Sequence, residues 1–150
     1  MVQSSLTALI RPALPDDLGT IKQLVDANRA SFGFVLQAVL ADGIASGRMY
    51  VAEQANTLVG FVHFRHRRDG WTTVYEICTA VEARRQGIGT NLITVLMQED
   101  RLRDRCGVQL KCPSGATANE FYAAVGMRRI SEVPGRKQSL IVWQWGTGDA

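Results

Sequence analysis

The sequence has few cysteines, no long apolar run and no strong excess of either charge. Its three cysteines, Cys78, Cys106 and Cys112, lack the C-x-x-C spacing of zinc sites, and their odd number argues against a disulfide framework. No segment approaches the roughly 18 consecutive apolar residues of a membrane span, and residues 1–10 lack the basic start of a signal peptide. We therefore expect reduced thiols, no bound metal, no membrane partner and a cytoplasmic location.

The rest of the composition is that of an ordinary globular protein. The chain has 150 residues, of which 46% are hydrophobic and 21% are charged, and it shows no repeat, low-complexity tract or linker. We expect one domain over residues 1–150. The 17 basic and 14 acidic residues give a net charge of +3, which is compatible with a polyanionic ligand without identifying it.

Periodicity predicts a mixed α/β order with a largely antiparallel first half. Apolar residues at helical spacing predict two amphipathic helices, the first over residues 14–25 and the second from Phe32 until Gly43 and Gly47 break it. Asp69-Gly70 predicts a hairpin. Strands are predicted at residues 7–11, 49–53, 58–64, 71–81, 108–112, 127–133 and 139–145. Further helices are predicted from residue 88 to near Gly107 and at residues 116–125.

One loop has the composition of an anion-binding site. The segment Arg84-Arg85-Gln86-Gly87-Ile88-Gly89 joins a predicted strand to a predicted helix, where glycines let backbone N–H groups approach a ligand closely. The helix dipole and the arginines both favour negative charge there. The segment lacks the lysine of a P-loop and the third glycine of a dinucleotide-binding fold. A pyrophosphate site is indicated, and a tight turn with solvated arginines is the alternative.

The loop and three other segments resemble the GNAT acetyltransferase superfamily. The central motif of that family, R/Q-x-x-G-x-G/A, is fitted by Arg84, Gly87 and Gly89. The other segments occur in the family's order: Ile10-Arg11-Pro12-Ala13 with Pro15-Asp16-Asp17, then Leu58-Val59-Gly60-Phe61, then Phe121-Tyr122 with Gly126-Met127.

The resemblance implies a GNAT fold and acetyl-CoA as cofactor. The fold would be a mostly antiparallel central sheet flanked by helices and splayed between the strands at Tyr75 to Val81 and Val108 to Cys112, with acetyl-CoA entering that gap. The family's asparagine before the motif tyrosine is Gly115 here, and Asn119 is its substitute. The implied cofactor-binding residues are Ile77, Cys78 and Thr79 (by main chain), Arg84, Arg85, Gln86, Gly87, Ile88, Gly89, Thr90, Asn119 and Tyr122.

Two residues are candidates for catalysis. Acetyl transfer to an amine needs the neutral nucleophile, yet a lysine-like amine has a pKa of about 10.4. The resemblance implies Glu76 as the general base, with Tyr75 as fallback. Alternatively, Glu76 lies on a solvated sheet face paired with an arginine such as Arg65 or Arg67. Tyr122 matches the family's general acid, which protonates the leaving CoA thiolate, and aromatic packing is its alternative interpretation.

Other reactive residues are assigned no role. Cys78 has no histidine in a recognisable relation to it, so we expect direct transfer instead of an acyl-cysteine intermediate. His63 and His66 lie three apart on a strand, hence on opposite faces, so we expect solvent exposure and no shared metal.

The predicted function is N-acetyltransfer from acetyl-CoA to a primary amine of a small molecule, peptide or protein. The alternatives are an acyl-CoA-sensing module without turnover and a toxin that acetylates aminoacyl-tRNA, although a nucleic-acid partner is not expected. Exposed aromatic residues around Trp143 and Trp145 suggest a homodimer through the last strands.

Overall fold

The computed structural model describes residues 8–28 and 35–146, so the predictions for residue 7 and for Phe32 lie outside the described residues. The fold is mixed α/β, as predicted. The strands are β1 (Leu9–Pro12), β2 (Met49–Gln54), β3 (Thr57–His66), β4 (Trp71–Thr79), β5 (Gly107–Pro113), β6 (Arg128–Val133) and β7 (Leu140–Gly146). The helices are α1 (Leu18–Ala27), α2 (Gln37–Ala45), α3 (Ile88–Leu102) and α4 (Ala118–Ala124), with 3-10 turns at Pro15–Asp17 and Val81–Ala83.

The seven strands form one sheet in the order β1-β2-β3-β4-β5-β7-β6. β1 with β2, β2 with β3, β5 with β7 and β6 with β7 are antiparallel. β4 and β5 run parallel, with Trp71 opposite Gly107 and Thr73 opposite Gln109. The predicted mostly antiparallel sheet is therefore confirmed, and the splay between β4 and β5 stays a prediction.

The chain divides into two compact units, each assembled from separate segments. The first unit comprises residues 1–64 and 76–95, and the second comprises residues 65–75 and 96–150. The expectation of a single domain stays a prediction.

The first unit has its core between the first two helices and the sheet. Apolar side chains at helical spacing on α1 and α2 meet inward-facing residues of β2, β3 and β4. The buried members are Ala13, Ile21, Val25, Leu40, Ile44, Met49, Val51, Phe61 and Cys78.

Helix α2 corrects one boundary prediction. Gly43 was expected to break this helix, but α2 runs through Gly43 to Ala45, and Gly47 with φ 70° follows its end. A Cβ at position 43 would lie 2.8 Å from Nε2 of His63 and 3.5 Å from Cε of Met49. Close packing against His63 and Met49 therefore requires a glycine at this position, although glycine has a weak helix propensity.

The second unit contains the last two strands, and it corrects the basis of the dimer prediction. Trp143 is only 6% exposed, and its strand β7 lies between β5 and β6, so it is not a sheet edge. Trp145 is half-buried, with the guanidinium of Arg101 5.2 Å from its ring centroid. The premise of exposed aromatic residues on a strand edge is wrong, and these tryptophans supply no argument for a homodimer.

Within residues 8–28 and 35–146, no helix is long and apolar enough to cross a membrane. In the same part of the chain, His, Cys, Asp and Glu side chains form no group of three or more that could hold a metal ion. The cytoplasmic location stays a prediction.

Candidate active site

The glycine-containing loop leads directly into the first turn of α3. The N–H of Asn91 donates to the carbonyl of Gly87 at 2.9 Å, which closes that turn. Arg85 and Gly87 have φ values of 67° and 79°, in the left-handed region that favours glycine. The first N–H groups of a helix have no partner within the helix and carry its positive dipole end. The predicted strand, loop and helix arrangement is confirmed.

Side chains tie this loop to the rest of the first unit. Nη2 of Arg84 donates to Oδ1 of Asn28 at 2.5 Å, and Nε of Arg84 donates to the carbonyl of Thr79 at 3.4 Å. Gln86 accepts a hydrogen bond from Nε2 of Gln54 at 2.9 Å. Arg84 therefore connects the loop to the end of α1 and to β4, so it is more than a solvated arginine.

Cys78 packs as an apolar residue on β4, within the core of the first unit. It is 5% exposed, accepts a hydrogen bond from Nδ2 of Asn28 at 3.2 Å, and lies 3.8 Å from the carbonyl of Leu24. Burial raises the pKa of the Cys78 thiol to about 11, against the opposing influence of the Arg84 charge. A neutral thiol is a poor nucleophile. This supports the prediction that Cys78 carries no acyl group.

Glu76 makes a close side-chain contact that the sequence analysis missed. Its Oε1 lies 2.8 Å from Nδ1 of His63, and the two side chains are 17% and 7% exposed, respectively. The alternative with Glu76 on a solvated face beside Arg65 or Arg67 is therefore wrong. The expected exposure of His63 is wrong too. A signal was available, because His63 shares a strand face with Phe61 inside an apolar run.

His66 belongs to a separate polar chain in the second unit. Its Nδ1 lies 2.8 Å from Oγ1 of Thr72, which donates to Oδ1 of Asp100 at 2.6 Å. Both Thr72 and Asp100 are buried. Burial lowers the pKa of His66, and the charges of Arg105 and Arg103 add to this effect. His66 is half-buried, so its predicted exposure is also wrong.

Tyr122 lies on α4 in the second unit and is 7% exposed. Its ring contacts those of Phe121 and Trp143, with centroids 5.3 Å and 6.3 Å away. Burial raises the pKa of the Tyr122 phenol far above its ordinary value, with a smaller contribution from Cys112. The phenol therefore stays protonated at neutral pH, as a general acid must be.

Asn119 stabilises the turn between β5 and α4. Its Nδ2 donates to the carbonyls of Pro113 and Ala116 at 2.9 Å and 3.0 Å. Its Oδ1 accepts a hydrogen bond from Nε1 of Trp143 at 2.8 Å. The amide thus makes hydrogen bonds at both ends within the chain, and the predicted cofactor contact stays a prediction.

The structure brings most of the predicted residues together in the first unit. Glu76, the segment of Ile77, Cys78 and Thr79, and the loop through Thr90 follow one another along β4 and into α3. Asn119 and Tyr122 lie one helical turn apart in the second unit.

The family to which this architecture belongs is shown by sequence comparison. Residues 45–128 match the acetyltransferase (GNAT) domain model, which is more than half of the chain. The chain therefore belongs to the GNAT acetyltransferase family and is an N-acetyltransferase enzyme. No curated protein sequence matches the chain.

Solved structures share the fold at low sequence identity. Ard1 from Thermoplasma volcanium has a TM-score of 0.83 and 17% identity, with 93% of this chain and 97% of that one covered. The ribosomal-protein-S18-alanine N-acetyltransferase from Escherichia coli has a TM-score of 0.77 and 18% identity, with coverages of 95% and 96%. The protein yncA from Salmonella typhimurium, solved with its cofactor acetyl-CoA, has a TM-score of 0.75 and 16% identity, with coverages of 93% and 94%.

Proposed function

We propose that this enzyme transfers the acetyl group of acetyl-CoA to a primary amine by direct attack. The observation that carries the proposal is the position of Glu76, a partly exposed carboxylate on the strand that leads into the glycine-containing loop. The binding of acetyl-CoA by yncA supports the choice of acetyl donor.

The loop fits the diphosphate of CoA. A Cβ at Gly87 would meet no heavy atom within 4 Å, so the backbone at this position is open to a ligand. The N–H groups of Gly87, Ile88, Gly89 and Thr90 would hold the phosphate oxygens at the helix N-terminus. The exposed side chains of Arg84, Arg85 and Gln86 border them. The main chain of Ile77, Cys78 and Thr79 would bind the pantetheine arm, as in the family.

Glu76 would remove the proton from the substrate amine. Acetyl-CoA supplies an activated thioester, but an ordinary amine with a pKa of about 10.4 is mostly protonated and unreactive at pH 7. With 17% of its side chain exposed, Glu76 is accessible to substrate while His63 holds one of its oxygens. We assign Tyr122 the proton that the departing thiolate needs, because its buried phenol stays neutral.

The acceptor is a primary amine, and amino termini of peptides are the first class to test. That choice follows the name of one structurally similar protein, the ribosomal-protein-S18-alanine N-acetyltransferase. It shares only the fold with this chain, so small-molecule amines belong in the same screen.

The cofactor site is tested by calorimetric titration of acetyl-CoA into the wild type and a Gly87→Glu, Gly89→Glu double variant. We expect binding by the wild type and none by the double variant, since two carboxylates would repel the diphosphate. Gly19→Glu is the control, because Gly19 is an exposed helical glycine on α1 with no heavy atom within 4 Å of its Cβ position. Folded wild type that does not bind acetyl-CoA would refute the proposal.

The transfer step is then tested by measuring thiol release with a panel of amines. We expect Glu76→Gln and Tyr122→Phe to lower kcat by roughly 100-fold or more on an accepted amine. Both variants should still bind acetyl-CoA. Wild-type kcat in the Glu76→Gln variant would exclude Glu76 as the base.

A further inference from the structure

The buried imidazole of His63 has no part in the reaction as described so far, although it contacts the proposed base. We propose that His63 is a positioning residue that orients the Glu76 carboxylate for proton removal, and that α2 holds His63 in place through Gly43. This inference rests on the proposed function of Glu76 as the general base. Its physical basis lies wholly within the first unit.

The hydrogen bond between the two side chains determines which imidazole nitrogen carries a proton. An ionised carboxylate can only accept, so Nδ1 of His63 must donate to Oε1 of Glu76 across the 2.8 Å that separates them. This contact restricts rotation of the carboxylate about its terminal bond. Catalytic groups work best when they are held in the reacting geometry, and a misplacement of about 1 Å can cost on the order of 100-fold in rate.

Burial distinguishes the two partners. The His63 side chain is 7% exposed and the Glu76 side chain is 17% exposed. His63 lies on the same face of β3 as Phe61, which is fully buried. A polar ring in such surroundings is costly unless it is hydrogen-bonded, and apolar residues would otherwise fill the position at less cost. The pair is therefore arranged with His63 on the inner side and Glu76 nearer the surface.

Gly43 completes the arrangement on the opposite side of the ring. A Cβ at this helical position would lie 2.8 Å from Nε2 of His63 and 3.1 Å from its Cδ2. Any larger residue would push the ring out of its position. The glycine in α2 thus allows the imidazole to lie where Nδ1 meets Glu76, which explains why a residue of low helix propensity lies inside this helix.

The hydrogen bond is tested by His63→Leu and His63→Asn, whose side chains have the same number of heavy atoms and the same branching. Asn places an N–H donor near the position of Nδ1, whereas Leu places a methyl group there. We expect His63→Leu to lower kcat by roughly 10- to 100-fold with less than about a threefold change in KM for acetyl-CoA. On a logarithmic scale, the kcat of His63→Asn should recover at least a third of the loss that His63→Leu shows.

A second variant tests the position of the Glu76 carboxylate without changing His63 or Glu76. Gly43→Ala should displace the ring and lower kcat several-fold. The matched control, Gly19→Ala on α1, meets no heavy atom within 4 Å and should keep the wild-type kcat. If His63→Leu fails to fold, Gly43→Ala and His63→Asn still decide the question.

Nitrogen-15 NMR of the imidazoles gives a readout that does not depend on turnover. The chain contains two histidines, so the spectrum of a histidine-labelled sample holds two rings. Glu76→Gln should shift the Nδ1 signal of His63 and leave that of His66 unchanged. An unchanged His63 signal would overturn the inference, as would wild-type kcat in His63→Leu, or equal losses in the Leu and Asn variants.

Failure of the inference and failure of the proposed function are distinguishable. If Glu76→Gln is inactive while His63→Leu is fully active, Glu76 remains the base and the positioning role is refuted. If Glu76→Gln keeps the wild-type kcat, the proposed base itself is refuted.

Discussion

Gly60 on β3 tests how closely β3 packs against β4 and the start of α3 in the first unit. A Cβ at this position would lie 2.8 Å from the carbonyl oxygen of Cys78 and 3.2 Å from Cγ2 of Ile88. The first atom belongs to the β4 backbone and the second to the start of α3. In Gly60→Ala, the β3 and β4 backbones must therefore move apart at this point, and the Ile88 side chain must shift by a few tenths of an ångström.

The expected loss of stability in Gly60→Ala follows from the distance between the added Cβ and the carbonyl oxygen of Cys78. Restoring ordinary contact with the Cys78 carbonyl requires a shift of about 0.6 Å in a closely packed region, and overpacking of this kind costs roughly 1–3 kcal/mol. For a domain of this size, that corresponds to a fall in Tm of about 3–10 °C. Because the displaced carbonyl belongs to the segment proposed to bind the pantetheine arm, affinity for acetyl-CoA should fall as well.

The assay for Gly60→Ala is thermal and urea unfolding, with calorimetric titration of acetyl-CoA on the folded variant. Gly19→Ala serves as the control, since it adds a methyl group in open space and should raise stability by about 0.5–1 kcal/mol through the better helix propensity of alanine. If Gly60→Ala matches the stability and affinity of the wild type, the close approach of β3 to β4 and α3 is refuted.

Two further predictions concern titration and thiol reactivity. The pKa of His66 is lowered on folding, so the unfolded chain binds more protons below about pH 6.5 and the free energy of unfolding should fall as the pH drops through that window. His66→Asn should lose this part of the pH dependence in urea unfolding curves. At pH 8, a thiol reagent should modify the half-buried Cys106 before Cys78, whose pKa is raised to about 11, and equal rates in the folded protein would contradict the burial of Cys78.

Features that depend on neighbours in sequence could be predicted. The Asp69-Gly70 hairpin is confirmed: Gly70 has a φ of 91°, and Oδ1 of Asp69 accepts from the N–H of Trp71 at 3.0 Å. The helix predicted to start at residue 88 begins at Ile88. Turn geometry and helix initiation are set within a few residues, which is why local pattern was sufficient.

Features that depend on distant partners could not be predicted from local pattern. The low helix propensity of glycine predicts a helix break at Gly43, yet the ring of His63, 20 residues away, requires a glycine inside α2. The sequence also predicts exposed aromatic residues around Trp143. In the structure β7 lies between β5 and β6, and the Trp143 side chain is buried.

The sequence by itself predicted an anion-binding loop, because glycines and arginines before a helix favour an anion. It also supplied the candidate Tyr122 through its motif and the candidate Glu76 through the resemblance to the family. Only the tertiary structure decided that Glu76 contacts His63 and that the Asn119 amide bonds to Trp143. These contacts join residues 13 and 24 positions apart, and such pairs form only when the strands and helices that carry them pack together.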